Sequence, residues 1–219
     1  MHAKSLDHVA LWAADRDGLA DVLTSRFGMH VIDRTDAFTL VGSDARHGKL
    51  TLFAADGERE RGALKHVALR VSDAASLDGG PPVELGAGVP LEVVEAPTEV
   101  EWDLDHVALF AREPDACAEE YLALGFEPAE PSAGGAPRVQ VAGKYVEFHP
   151  GDPGDPVAPL LHHLAVLVDS ADDHRSEAED LGVEVADFVD APNTLAVFVW
   201  GPERVKIEYV EHKPTFSLV

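Results

Sequence analysis

Four histidines and two glutamates stand out by their spacing. His8, His66, His106 and His163 each occupy the third place in a near-copy of one hexapeptide: LDHVAL at 6–11 and again at 104–109, LKHVAL at 64–69 and LHHLAV at 161–166. Glu147 and Glu208 lie in two further apolar stretches, KYVEFHP and RVKIEYV. Successive side chains on a strand point to opposite faces, so His106, Ala108 and Phe110 share one face while Val107, Leu109 and Ala111 share the other. By the same alternation Tyr145, Glu147 and His149 face one way, and Lys206 faces with Glu208. A carboxylate on the inner face of a sheet is costly unless it is paired or bound to a metal. If first and last strands are neighbours, His106, Glu147, His163 and Glu208 converge. Two imidazoles with one or two carboxylates suit a divalent Fe, Mn, Zn, Ni or Co, and ligand type alone does not choose among them.

The elements that must position these residues repeat. His8 and His106 are 98 residues apart, and His66 and His163 are 97 apart, so the chain reads as two halves, 1–100 and 101–219, of two modules each. Module one opens with a strand over 6–13. A helical pattern follows (Leu19, Val22, Leu23, Phe27) with Gly28 as its stop, then three strand-like segments. Module three repeats the order, with Pro114 suited to a first helical turn, and module four does so with Ser170 as helix cap. The unit is βαβββ and the class α+β. Module two is abridged: Gly79, Gly80, Pro81 and Pro82 stand where a helix belongs, and Val89–Val94 reads as its last strand.

Composition narrows the partners. Forty acidic against 17 basic residues give a net charge of −23, which repels phosphate backbones and anionic lipid and argues against nucleic acid or a membrane as partner. One cysteine, Cys117, allows no disulfide within the chain and fits a cytoplasmic protein. No run approaches the roughly 18 apolar residues of a membrane span, and the opening MHAKSLDHV has no signal-peptide pattern. The expectation is a soluble cytoplasmic protein, monomer or homodimer, acting on a small molecule.

The repeated DHVAL strand, the βαβββ order and the closing VKIEYV together resemble the vicinal oxygen chelate superfamily, the glyoxalase, bleomycin-resistance and extradiol-dioxygenase group. The resemblance implies that paired modules form half-open mixed β-barrels, helices outside, whose concave faces bind a divalent ion that chelates two neighbouring oxygens of a substrate. By position it makes His106, His163 and Glu208 ligands in the second half, with Glu147 a fourth ligand or proton-transferring base. Tyr145 and His149 become candidate catalytic helpers, and Phe110, Phe198, Trp200 and Lys206 line the cleft. His8, His66 and Glu92 form a less favoured second site in a first half read as scaffold, because Leu52 stands where Glu147 does. The implied chemistry leans to lyase or isomerase proton transfer. Extradiol ring cleavage is the alternative and ranks second, because Phe198, Val189 and Lys144 stand where that branch has a tyrosine and two histidines as acid–base helpers. A metal-free, drug-sequestering binding protein is a third reading.

Overall fold

The computed structural model describes residues 2–73, 83–84 and 88–216. Module one comprises β1 (Ser5–Ala13), α1 (Arg16–Phe27), β2 (His30–Arg34), β3 (Phe38–Gly42) and β4 (Lys49–Ala54). Module two comprises β5 (Leu64–Val71), β6 (Val83–Glu84) and β7 (Pro90–Glu95). Module three comprises β8 (Asp103–Ala111), α2 (Pro114–Ala123), β9 (Glu127–Pro128), β10 (Arg138–Val141) and β11 (Lys144–Pro150). Module four comprises β12 (Leu161–Leu167), α3 (Ala171–Leu181), β13 (Val185–Asp190), β14 (Thr194–Trp200) and β15 (Lys206–His212). The α+β class and the repeated modules are those expected. The expected abridgement of module two at Gly79, Gly80, Pro81 and Pro82 falls on residues outside those described.

Helix boundaries follow local chemistry. The Asp15 side chain accepts a hydrogen bond from the Gly18 amide to open α1, and Gly28 closes it at φ +63°. Ser170 accepts from Asp173 to open α3, and Pro114 occupies the first turn of α2, where a missing N–H costs nothing. Buried apolar faces from all four modules, among them Leu11, Phe27, Leu69, Trp102, Leu109, Tyr121, Phe148, Val166 and Tyr209, form one core. Among the described residues no helix is long and apolar enough to cross a membrane.

The sheets do not follow the division into residues 1–100 and 101–219. One sheet has the order β13-β14-β15-β12-β1-β4-β3-β2 and the other β6-β7-β5-β8-β11-β10-β9. Module one is therefore joined to module four through the antiparallel pair β1–β12, and module two to module three through β5–β8. Each half contributes one module to each sheet. The physical reason is that all four opening strands carry the same apolar pattern, so any two can pair.

Each opening strand carries one extra residue in the same place. Across β1–β12, Leu6 faces Val166 and His8 faces Ala165, which leaves Asp7 over; Ala10 faces His163 and Leu11 faces Leu161, which leaves His162 over. Across β5–β8 the extra residues are Lys65 and Asp105. A bulge interrupts the alternation and re-aims a side chain. In all four modules it falls on the residue just before the histidine.

Candidate metal centres

The first sheet brings together His8 of β1, His163 of β12 and Glu208 of β15. His8 Nε2 lies 3.0 Å from His163 Nε2, and Glu208 Oε2 lies 2.9 Å from His163 Nε2 and 3.3 Å from His8 Nε2. Ligands about 2.1 Å from one ion and at right angles are separated by roughly 3.0 Å, and by roughly 3.4 Å at tetrahedral angles. The triangle therefore fits three ligands on one face of an ion, with the remaining positions toward the cleft. Glu208 Oε2 is buried and has no hydrogen-bond partner, since neither imidazole contact has hydrogen-bond geometry. Such an atom is satisfied by a cation. The residues present fit a divalent ion.

Electrostatics around the triangle point the same way. Burial by itself disfavours the charged Asp7 carboxylate, but its hydrogen bond to His8 and the Lys49 ammonium beside it hold its pKa far below the usual range. Burial likewise opposes a charged His8, but Asp7, which accepts its Nδ1–H, and the negative charge of Glu208 beside it outweigh that, raising the imidazole to about 9. Glu208 is driven far down against its burial by His163 and His8, while burial keeps His163 below its ordinary value.

Behind the ligands stand groups that the alternation of side chains concealed. Asp7 Oδ2 lies 2.9 Å from His8 Nδ1, and Lys49 Nζ donates to both Asp7 oxygens at 2.8 Å. This fixes the Nδ1–H tautomer and leaves Nε2 for a metal. His162, the extra residue of β12, stacks on Phe53 with ring centroids 4.5 Å apart. Burial, with His163 and Lys206 nearby, lowers it to about 3. The signal for Asp7 was in the sequence: a charged residue on an apolar-facing position, repeated at Asp105, calls for a bulge.

A cavity of about 500 Å³ opens over this triangle, with Phe38, Phe53 and Phe198 among its walls and Thr51, Asn193 and Lys206 among its polar groups. Of the expected cleft residues, Phe198 and Lys206 line it. Trp200 is opposite Lys206 in the β14–β15 register and is not among the lining residues. Phe110 belongs to the other sheet, where it faces His149.

The second sheet assembles the other expected residues. His66 Nε2 lies 2.9 Å from His106 Nε2 and 3.1 Å from Glu92 Oε2. Glu147 Oε2 stands 3.8 Å from His106 Nε2 and 3.4 Å from His149 Nε2. Asp105 holds His106 Nδ1 at 2.8 Å and takes Arg70 at 2.7 Å, repeating the arrangement at Asp7. Tyr145 faces His106 across β8–β11 and carries the Arg138 guanidinium 3.9 Å over its ring. Burial, then His106, lowers His66 to about 3. The Glu92 side chain is 49% exposed, against 10% for Glu208, so this centre is the more open.

The expected quartet of His106, Glu147, His163 and Glu208 is thus divided. His163 and Glu208 stand with His8, and His106 and Glu147 with His66 and Glu92, so each cluster draws residues from both halves of the chain. The position of Glu147 also shifts by one in module one. Glu208 faces Ala165, Glu147 faces Ala108 and Glu92 faces Ala68, each two residues beyond the histidine; Ala10 faces Thr51. Thr51, not Leu52, is the equivalent, and Leu52 is core.

No family model matches the sequence, and neither does any curated protein. Solved structures do match. A "putative dioxygenase" from Bacillus subtilis subsp. subtilis str. 168 is 14% identical, with a TM-score of 0.77 over 97% of this chain and 86% of that one. Glyoxalase I from Zea mays is 16% identical, with a TM-score of 0.73 over 94% of this chain and 92% of its own. The cppA protein from Streptococcus pneumoniae TIGR4 is 14% identical, with a TM-score of 0.61 over 93% of this chain and 96% of its own. At these identities the likeness is one of fold, and it extends over nearly the whole chain.

Proposed function

We propose that this chain, with its vicinal oxygen chelate fold, is a metal-dependent enzyme whose working centre is His8, His163 and Glu208. Its substrate is a small flat molecule that presents two neighbouring oxygens in the cavity above them. The observation that carries this reading is the triangle of Nε2, Nε2 and Oε2 atoms with edges of 3.0, 2.9 and 3.3 Å at the floor of that cavity.

Oxidative cleavage of a catechol-type ring fits this centre best. Three ligands leave room for two substrate oxygens and dioxygen, and Thr51 adds no fourth carboxylate. Phe38, Phe53 and Phe198 provide apolar walls for a ring. Proton transfer by Glu147, the basis for a lyase or isomerase, has no counterpart here, because Glu147 belongs to the other sheet and Asp7 is committed to Lys49 and His8. When bound, a divalent Fe or Mn would acidify the diol and mediate electron flow from ring to dioxygen. Both oxygen atoms enter the product as a ring C–C bond breaks. The chain's own part is to hold the histidines in one tautomer through Asp7, to keep water out with the phenyl walls, and to orient the ring.

A second reading attaches to the second sheet. Two imidazoles with two carboxylates, Glu147 standing off at 3.8 Å, suit proton transfer beside a metal-polarised carbonyl. The test is anaerobic purification, metal analysis and oxygen uptake with catechols, beside proton exchange of an α-hydroxyketone in D2O. Uptake abolished by Glu208→Ala supports ring cleavage. Exchange abolished by Glu147→Ala, without uptake, supports the second reading instead.

A further inference from the structure

The charges around the cavity are unevenly assigned. Lys49 is fully committed, donating to both oxygens of Asp7. The acidic lining residues Asp33 and Asp187 are exposed on β2 and β13, at the mouth. Lys206 is different. It is half-buried, and among the described residues it makes no ion pair or hydrogen bond. Its neighbours are rings, with Nζ 5.1 Å from the centroid of Trp200 and 6.0 Å from that of Phe198. In a chain of net charge −23, a lysine without a carboxylate partner beside a cavity is an exception that calls for an anion.

Its place relative to the metal centre says which anion. Lys206 and Glu208 are alternate residues of β15 and point to the same face, with Ile207 between them in the core. Two residues along a strand are about 6.5–7 Å apart, the scale of one substituted phenyl ring. A ring chelated at the triangle by two adjacent oxygens would present its opposite edge toward the ammonium.

We propose that the substrate is a vicinal diol that also bears a carboxylate, and that Lys206 receives this carboxylate. The inference rests on the reading of the His8, His163 and Glu208 centre as a diol-binding metal site. A lone ammonium gives a charge-assisted contact that an unsubstituted catechol cannot use, and a contact of that kind is worth about tenfold or more in affinity.

The test is calorimetric binding, under argon, to protein loaded with Mn(II). The probes are catechol, 2,3-dihydroxybenzoate, 3,4-dihydroxybenzoate and 3,4-dihydroxyphenylacetate. At least one carboxylated diol is expected to bind about tenfold more tightly than catechol. The ratio should fall to near one in Lys206→Met and persist in Lys206→Arg. Equal affinities in the unmodified protein, or a preference that survives in Lys206→Met, would overturn the role of Lys206 while leaving the diol site standing. Failure of every diol to bind metal-loaded protein would overturn the diol site and this inference with it.

Discussion

Asp7 precedes His8 in the chain, and on a regular strand the two side chains would point to opposite faces. They hydrogen-bond instead, Oδ2 to Nδ1 at 2.9 Å, because Asp7 is the extra residue of a bulge opposite Val166 and Ala165. The same device joins Asp105 to His106. Each sheet therefore pairs one carboxylate-anchored histidine with one whose preceding residue is basic: His163 follows His162, and His66 follows Lys65.

Breaking the Asp7 arrangement should cost twice. In Asp7→Asn, Lys49 remains buried (2% exposed) and loses its counter-charge, an effect of about 3–5 kcal/mol where a buried pair is broken from one side. His8 loses the carboxylate that fixes its tautomer, which is worth about 10–100-fold in metal affinity. Urea unfolding and metal titration read these separately. The double variant Asp7→Asn/Lys49→Met is expected to regain much of the stability and none of the affinity, because only the unpaired charge has been removed.

Two independent candidate centres would have a stoichiometric signature. His163 and His106 lie in different sheets, so His163→Ala is expected to remove the metal held with His8 and Glu208 and to spare the other. His106→Ala should do the reverse, and the double variant should bind none. Equilibrium dialysis with Mn(II) or Zn(II) counts the equivalents. Loss of all metal in either single variant would restore a shared centre built from the second half alone.

Burial also governs the one thiol. Cys117 is pushed up to about 12 by its burial and then by Glu203 and Glu120. An unfolded thiol ionises near about 8.5, so above that pH the unfolded chain releases a proton that the folded chain keeps. The associated stability is complete below about pH 8.5 and is lost as pH rises toward about 12, a decline of roughly 1–2 kcal/mol by pH 10. Urea midpoints at pH 7.5 and 10 should show the fall. A disulfide reagent should label Cys117 at pH 8 only after unfolding.

Much of this architecture was legible in the sequence. Helix ends marked by Gly28, Pro114 and Ser170 announce themselves by residue type, and Val107, Leu109 and Ala111 separate from His106 by simple alternation. Which modules pair was not legible, because LDHVAL, LKHVAL and LHHLAV offer one and the same edge and strand pairing depends on the whole chain. The counter-ions were missed for a local reason: alternation assigns Asp7 and Asp105 to the core face, and a one-residue bulge reverses that assignment. Leu52 was matched to Glu147 by counting along the chain, whereas backbone register selects Thr51.

That register gives the sharpest chemical test of why the two centres differ. Thr51 faces Ala10 as Glu147 faces Ala108, and it lines the cavity beside His8 and Glu208. Thr51→Glu would place a carboxylate at the fourth position and turn a two-histidine, one-carboxylate centre into the set found in the second sheet. The cavity of about 500 Å³ has room for the longer side chain. Metal affinity at the first centre is expected to rise, by about tenfold if the new group contributes like other charged contacts. Oxygen uptake with a catechol should fall at the same time, since the added carboxylate takes a position the substrate needs. Competition with a fluorescent chelator measures the first and an oxygen electrode the second. Affinity and uptake moving in the same direction would show that Thr51 does not face the metal.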